Sequence, residues 1–344
     1  MRLGIIARSD NTGLGNQTRE LVNMLNPDKI LLINSRFFNQ NKQHPEWYEG
    51  YNYTTTLKGF PTSPEIANFI TGIDVVISCE IFYNPRFIDV ARSRGVKTIL
   101  QYNYEFLDYL ANPNQTLPDV LVAPSLWNFE DVVDKFGDKT SVVHLPPPTD
   151  INIFSHAREI NKSKTHKRLL HIAGKAAVKD RNGTNTVIEM LNYSSGDYEL
   201  VIKTQSPLDI KCSDPRLTID SSSPDSHQSL YEGFDAMILP RRYAGLCLPM
   251  NEALISALPV FMTDISPNNK VLPNEWLFNS TKIDQLQTRT MLDVYDGDAK
   301  MLAKLVDDYY GLDIPKLKDK AFDIGNSNFS TESLKDKYIN LINS

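Results

Sequence analysis

Short apolar runs separated by longer stretches of helical periodicity set the rhythm of this chain. "RLGIIA" at residues 2–7 has the pattern of a buried strand, "NTGLGNQ" at 11–17 reads as a loop, and "TRELVNML" at 18–25 puts Leu21, Val22 and Leu25 on one helical face. The order recurs through "KILLIN", "DVVISCE", "VKTILQYN" and "DVLVAP". β-Branched runs alternating with helix-like stretches predict a doubly wound parallel sheet.

Near residues 141–150 the strand pattern "SVVHL" runs into "PPPTD". Three prolines remove backbone donors and fix an extended connection, so a first domain is expected over 1–150, with Pro146 to Pro148 as a candidate hinge. The alternation restarts with "RLLHIAG", the loop "KAAVKDRNG" and the helix "TNTVIEMLN", and continues through "YELVIKT", "LTID", "FDAMILP" and "PVFMTD". This predicts a second α/β domain over 151–325. The closing "STESLKDKYINLIN" has Ser330 placed as an N-cap and Leu334, Tyr338 and Leu341 on one face, so a terminal amphipathic helix is expected within 326–344. The 344 residues agree with two domains at roughly 150 residues each. No long internal repeat is visible, so the two domains share architecture rather than sequence.

Composition adds exclusions. With 41% hydrophobic and 23% charged residues the chain is an ordinary globular one. Its net charge of −6 lacks the footprint of a non-specific nucleic-acid binder. Cys79, Cys212 and Cys247 are far apart and without metal spacing, which fits reduced thiols in a cytoplasm and argues against zinc. The N-terminus is too short in apolar residues for a signal peptide, and no run approaches the ~18 needed to span a bilayer. A soluble, cytoplasmic protein is expected. The sequons at Asn16 and Asn182 fall in glycine-containing loops and read as accidents.

Open parallel sheets bind ligands outside the carboxyl ends of their strands, so candidate chemistry belongs to the loops there. In "DAMILPRRYAGLCLPMNEALISAL" the strand gives way to a loop carrying Arg242, Tyr243, Gly245 and Leu246. Pro249 suits the first helical position, and the helix is expected to run to about Leu258. Free amides near Gly245 and Leu246 suit a phosphate. Glu252, one turn inside, is placed to accept hydrogen bonds from paired hydroxyls such as those of a ribose; a first-turn acid on a solvated helix has the same spacing. Lys175, Lys179 and Arg181 in "GKAAVKDRNG" could neutralise a diphosphate or form a solvated surface. Gly13, Leu14 and Gly15 lie in a loop without the full dinucleotide fingerprint. Tyr104 and Glu105 end the fourth strand and face either a ligand or the rim of the core. His144 and His171 lie in strands and are expected to be packed. Nucleophile elbow, H-E-x-x-H and P-loop are absent from the sequence.

Taken together, these segments resemble the retaining GT-B glycosyltransferases of the group 1, glycogen-synthase-like type, which use nucleotide-sugar donors. The resemblance covers nearly the whole chain and is strongest at 231–264, "YEGFDAMILPRRYAGLCLPMNEALISALPVFMTD". It implies two Rossmann-like doubly wound parallel-sheet domains facing across a cleft, the first for the acceptor and the second for the donor, with the last helix packing back toward the first. It implies Glu252 on the nucleotide ribose, the Gly245 and Leu246 amides with Lys175 and Arg181 on the diphosphate, and Gly13, Leu14 and Gly15 near donor and acceptor. Lys179, Arg242 and Tyr243 join the donor side, Tyr104 and Glu105 the acceptor side. No metal or cofactor is implied beyond the nucleoside diphosphate sugar itself as co-substrate.

Three departures stand out: Ala244 replaces the family's acid eight positions before Glu252, Ala257 replaces a glycine, and "QYNYEF" stands where the family has a histidine. The run "RRYAGLCLPMNEAL" is similar to glycosyltransferase-like proteins of tailed bacteriophages, some of whose relatives decorate DNA bases. A hydroxymethylated DNA base is therefore one acceptor expectation, in a host cytoplasm, and a catalytically silent sugar-nucleotide binding module is the rival from another class. Ser221 to Ser223 are candidates for the base pocket.

Overall fold

The computed structural model describes residues 1–37, 42–175, 179–208, 212–243 and 245–344. The chain forms two compact units. One comprises Met1–Pro148, Thr288–Thr290 and Thr331–Ser344; the other comprises Thr149–Gln287 and Met291–Ser330.

The first unit is built on seven parallel strands, β1 (Leu3–Ala7), β2 (Lys29–Leu32), β3 (Tyr53–Thr55), β4 (Val75–Cys79), β5 (Lys97–Gln101), β6 (Val120–Ala123) and β7 (Ser141–His144), in the order β3-β2-β1-β4-β5-β6-β7. Its helices are α1 (Gly13–Leu25), α2 (Ser63–Ile70), α3 (Phe87–Arg92), α4 (Leu107–Leu110) and α5 (Phe129–Phe136). Successive side chains of a strand face opposite ways. Thus Leu3, Ile5 and Ala7 pack with Leu21 and Val22 of α1, while Ile6 packs with Phe69 of α2 and Phe87 of α3. Burying both faces explains why these strands read as unbroken apolar runs.

Helix α1 starts at Gly13, five residues before the expected Thr18, because Thr12 caps it by accepting from Gly15 N at 3.1 Å. His144 is exposed rather than packed in the core, since β7 is an edge strand, and its ring stands at 67° to that of Phe129.

The second unit holds six parallel strands in the order β10-β9-β8-β11-β12-β13: β8 (Arg168–Gly174), β9 (Glu199–Thr204), β10 (Leu217–Asp220), β11 (Ala236–Ile238), β12 (Val260–Thr263) and β13 (Leu277–Phe278). Around them lie α6 (Ser155–Ser163), α7 (Thr184–Met190), α8 (Leu248–Ile255), α9 (Asn268–Val271), α10 (Ala299–Tyr309) and α11 (Ile314–Phe329). An antiparallel hairpin, β14 (Ser280–Gln287) and β15 (Met291–Gly297), has no counterpart in the sequence expectations. Lys318 of α11 is anchored inside by an ion pair with Asp235 at 2.8 Å, both residues buried.

The closing helix α12 (Thr331–Asn343) belongs to the first unit. It buries Leu334, Tyr338 and Ile342, with Leu341 only partly covered. Tyr338 Oη donates to Pro146 O at 2.9 Å and accepts from Gln101 Nε2 at 3.0 Å. No helix among the described residues is long and apolar enough to cross a membrane.

Candidate functional site

In the second sheet the chain leaves β8 toward β9 and β10 on one side and returns to β11, β12 and β13 on the other. The carboxyl ends of β8 and β11 therefore flank the topological switch point, where open parallel sheets take their ligands. The loops that follow these two strands carry the residues 175–183 and 239–247.

After β11 the chain turns tightly, Arg241 N donating to Leu239 O at 2.8 Å, and enters α8. Cys247 precedes α8 without a side-chain cap, no acid occupies the first turn, and Pro249 sits at the second helical position rather than the first. The contrast with α7 is instructive. There the Asp180 carboxylate already accepts from Thr184 N at 3.0 Å and Asn185 N at 2.8 Å, so its positive end is neutralised from within. Among the described residues no side-chain cap does this at α8. Gly245 and Leu246 lie directly before it; Ala244 lies outside the described residues. The helix stops at Ile255, three residues short of the expected Leu258. Ala257 takes φ +59°, with Ala257 N on Leu254 O at 3.0 Å and Leu258 N on Ala253 O at 2.9 Å, a Schellman closure.

Glu252 is 8% exposed and is held by two side chains that sequence reasoning missed. His227 Nε2 donates to Oε1 at 2.9 Å, and Tyr231 Oη donates to Oε2. The His227 ring stands edge-on to Phe154 and Tyr231, at centroid distances of 6.1 and 6.3 Å. Burial pushes the Glu252 carboxyl up, but the charge of His227 and the hydrogen bonds from His227 and Tyr231 outweigh it, and the group stays below its ordinary range. The result is a buried acceptor kept ionised. A carboxylate offers about four lone-pair sites, so two such bonds leave capacity for paired hydroxyls. The only local hint in the sequence is a histidine and a tyrosine in "SHQSLYE", with nothing to tie them to Glu252.

The cations after β8 have different surroundings. Lys175 is exposed. Lys179 Nζ pairs with Asp284 of the hairpin and donates to Gln285 O at 3.2 Å. Arg181 lies over the Tyr243 ring, 5.9 Å from its centroid. Arg242 binds Asp296 at 2.8 Å and Tyr295 O at 3.2 Å, and also donates to Lys179 O, so its guanidinium ties this loop to the hairpin. Asn182 Nδ2 pins the loop to β8 through Ile172 O and Ala173 O. Gly183, at φ +71°, is required: a Cβ there would stand 2.1 Å from Pro240 O. His171 is buried between Ile238 O and Thr184 Oγ1, each at 2.9 Å. Ser221 to Ser223 form an exposed loop after β10.

In the first unit Gly13, Leu14 and Gly15 form the first turn of α1, beside an internal network. Asp10 pairs with Arg8 at 2.6 Å and accepts from Ser35 and Thr12. Tyr104 donates to Asp131 at 3.2 Å and tilts against Trp127, while the Glu105 carbonyl accepts from Thr288. The switch point of this sheet lies between β1 and β4. Directly after β4, Glu80 adopts φ +69° and accepts from Asn103 Nδ2 at 3.2 Å. Burial pushes its carboxyl up, partly offset by Asn103 and Arg8. Glu80 is thus a partly buried carboxyl on strained backbone at a strand end, a combination that clusters at functional sites.

No family model and no curated protein matches the chain. Solved structures do match it in fold. A glycosyltransferase from Rickettsia africae aligns at TM-score 0.68 and 11% identity, over 99% of this chain and 97% of its own. HepE of Anabaena, solved with UDP and glucose, aligns at 0.69 and 9%, over 100% and 99%. The lipopolysaccharide outer core galactosyltransferase WaaB aligns at 0.64 and 14%, over 99% and 98%. The two parallel-sheet α/β units thus have the GT-B fold of these proteins.

Proposed function

We propose that this protein is a retaining glycosyltransferase that moves a sugar from a nucleoside diphosphate sugar to an acceptor hydroxyl. The observation that carries the reading is Glu252: an ionised, buried carboxylate one turn inside a helix whose positive end has no side-chain cap among the described residues, beside a switch point. Support also comes from the fold neighbours, among them HepE, which has been solved with UDP-glucose.

In this reading Glu252 accepts from the ribose hydroxyls, and the Gly245 and Leu246 amides with Lys175 and Arg181 take the diphosphate. Tyr243 positions Arg181, and Lys179 and Arg242 brace the loop. Gly13, Leu14 and Gly15 shape the first unit's ligand end, with Tyr104 and Glu105 on the acceptor side. As the bond from the anomeric carbon to the diphosphate breaks, charge accumulates on the departing oxygen. Fixed donors aimed there lower the barrier, and losing one commonly costs about 3 to 4 kcal/mol. The acceptor oxygen bonds to the anomeric carbon on the face the diphosphate leaves, and its proton passes to a diphosphate oxygen. This scheme requires neither a metal nor a cofactor beyond the donor.

The test is nucleotide release from UDP-, GDP- and other nucleoside diphosphate sugars, with and without hydroxymethylcytosine DNA, by the native chain, Glu252→Ala and Lys175→Ala. Release from one donor is expected, abolished by both substitutions and unaffected by chelators. Dependence on the DNA would make the modified base the acceptor. Binding without turnover on any acceptor tried would leave a silent module, and no donor binding at all would sink the assignment of Glu252.

A further inference from the structure

Arg241 stands next to Arg242 in the sequence and opposite to it in circumstance. Arg242 is committed to Asp296 and to two backbone carbonyls. Arg241 is 2% exposed, and its Nε and Nη2 have no hydrogen-bond partner among the described residues. A guanidinium keeps its charge in proteins, and an unpaired buried charge is among the most costly features a fold can carry. The two unpartnered atoms form one edge of the guanidinium fork, the edge that receives two oxygens of a phosphate or carboxylate in parallel.

Its backbone is fixed. Arg241 O accepts from Thr263 Oγ1 at 2.6 Å, which ties the turn after β11 to the end of β12. Four residues on comes the glycine loop, then the uncapped end of α8. On α8, next to Glu252, Asn251 Nδ2 is another buried donor without a hydrogen-bond partner among the described residues. Residues 241 and 248–252 thus combine a buried cation, a buried amide and a helix end, all donors, and none has a side-chain hydrogen-bond partner among the described residues.

We propose that Arg241 is an oxyanion-binding residue, its Nε–Nη2 edge receiving two oxygens of the ligand that enters this segment. The oxyanion belongs either to the diphosphate of a nucleotide or to a carboxylate on the transferred sugar, and this source rests on the donor reading above.

Calorimetric titration of the native chain, Arg241→Met and Arg241→Lys with pyrophosphate, glucuronate, UDP, GDP, uridine, guanosine, UDP-glucose and UDP-glucuronate tests this. With the diphosphate as source, Arg241→Met loses affinity for the nucleoside diphosphate by at least about tenfold and keeps its affinity for the nucleoside. Arg241→Lys recovers only part, because an ammonium lacks the fork. With a sugar carboxylate as source, Arg241→Met binds UDP as the native chain does and loses its preference for UDP-glucuronate over UDP-glucose. Removing a buried charge without an internal partner should leave the ligand-free Met variant no less stable to urea, which separates lost binding from lost fold. Pyrophosphate or glucuronate bound through Arg241 by a chain that binds no nucleotide would keep this proposal and reject the donor reading. Equal affinities in native and Met chains for every ligand, or no binding by the native chain, would overturn it.

Discussion

Gly15 has no room for a methyl group, and the reason lies inside the protein. A Cβ there would stand 1.9 Å from the Asp10 carbonyl oxygen, which is itself held by the turn to Thr12 N at 2.7 Å. Gly15→Ala is expected to lower stability by roughly 1 to 3 kcal/mol, read as a drop in the urea midpoint. An unchanged midpoint would mean that the glycine serves a ligand alone. Glu252 shows the converse division. Its place one turn inside the helix follows from counting residues after Pro249, so that placement was legible. Its partners were not: His227 and Tyr231 lie 25 and 21 positions upstream, and no periodicity links a loop residue to a helix it meets only in three dimensions.

At the scale of elements, α8 is placed by its closure and by its neighbour α11. Ala257 occupies the left-handed position of a Schellman closure at φ +59°, where a side chain costs about 1 kcal/mol against glycine. Ala257 is fully buried, so Ala257→Gly relieves that strain but removes a methyl whose burial contributes about 0.8 kcal/mol, and the thermal midpoint should change little. Gly325 of α11 has the opposite role, since a Cβ there would come within 2.8 Å of Ile255 N and the Leu254 carbonyl carbon. Gly325→Ala should push α8 away and cost roughly 1 to 3 kcal/mol and, under the proposed role of Glu252, weaken nucleotide binding because Glu252 moves with the helix. A variant that binds nucleotide as the native chain does would show that α8 holds its place without α11. The hairpin β14–β15 escaped the sequence reading. Only Leu292 and Val294 of its β15 are buried, and β14 is largely exposed with a register shift between Lys282 and Asp284, so strict alternation is broken.

For the molecule as a whole, the buried titratable groups set the response to acid. Burial lowers His171 to about 4 from an ordinary 6.5, against smaller opposing contributions from Ile238 O and Asp180. Between those values the unfolded chain binds the proton and the folded one does not, so stability falls as pH drops from 6.5 toward 4, by about 3 kcal/mol in all. Glu252 acts in the same direction at lower pH: its carboxyl is depressed in the folded state, so its contribution is present above 4.5 and is lost as pH falls through the folded value. Urea midpoints at pH 7 and 4.5 should differ, and His171→Gln should flatten the slope. Equal midpoints in the native chain would refute the buried neutral imidazole.

The sequence by itself determined the two α/β units, the strand-end loops and the depth of Glu252 in its helix. These depend on apolar runs, prolines and residue spacing, which are local properties of a chain. Tertiary structure alone decided which charges are paired inside the protein. Lys175, Lys179, Arg181, Arg241 and Arg242 look alike as a pattern of cations. Asp284 and Asp296, from a hairpin far along the chain, take Lys179 and Arg242, while Arg241 is buried and its Nε–Nη2 edge has no hydrogen-bond partner among the described residues. Ion pairing follows the approach of elements in space and leaves no periodic trace in sequence.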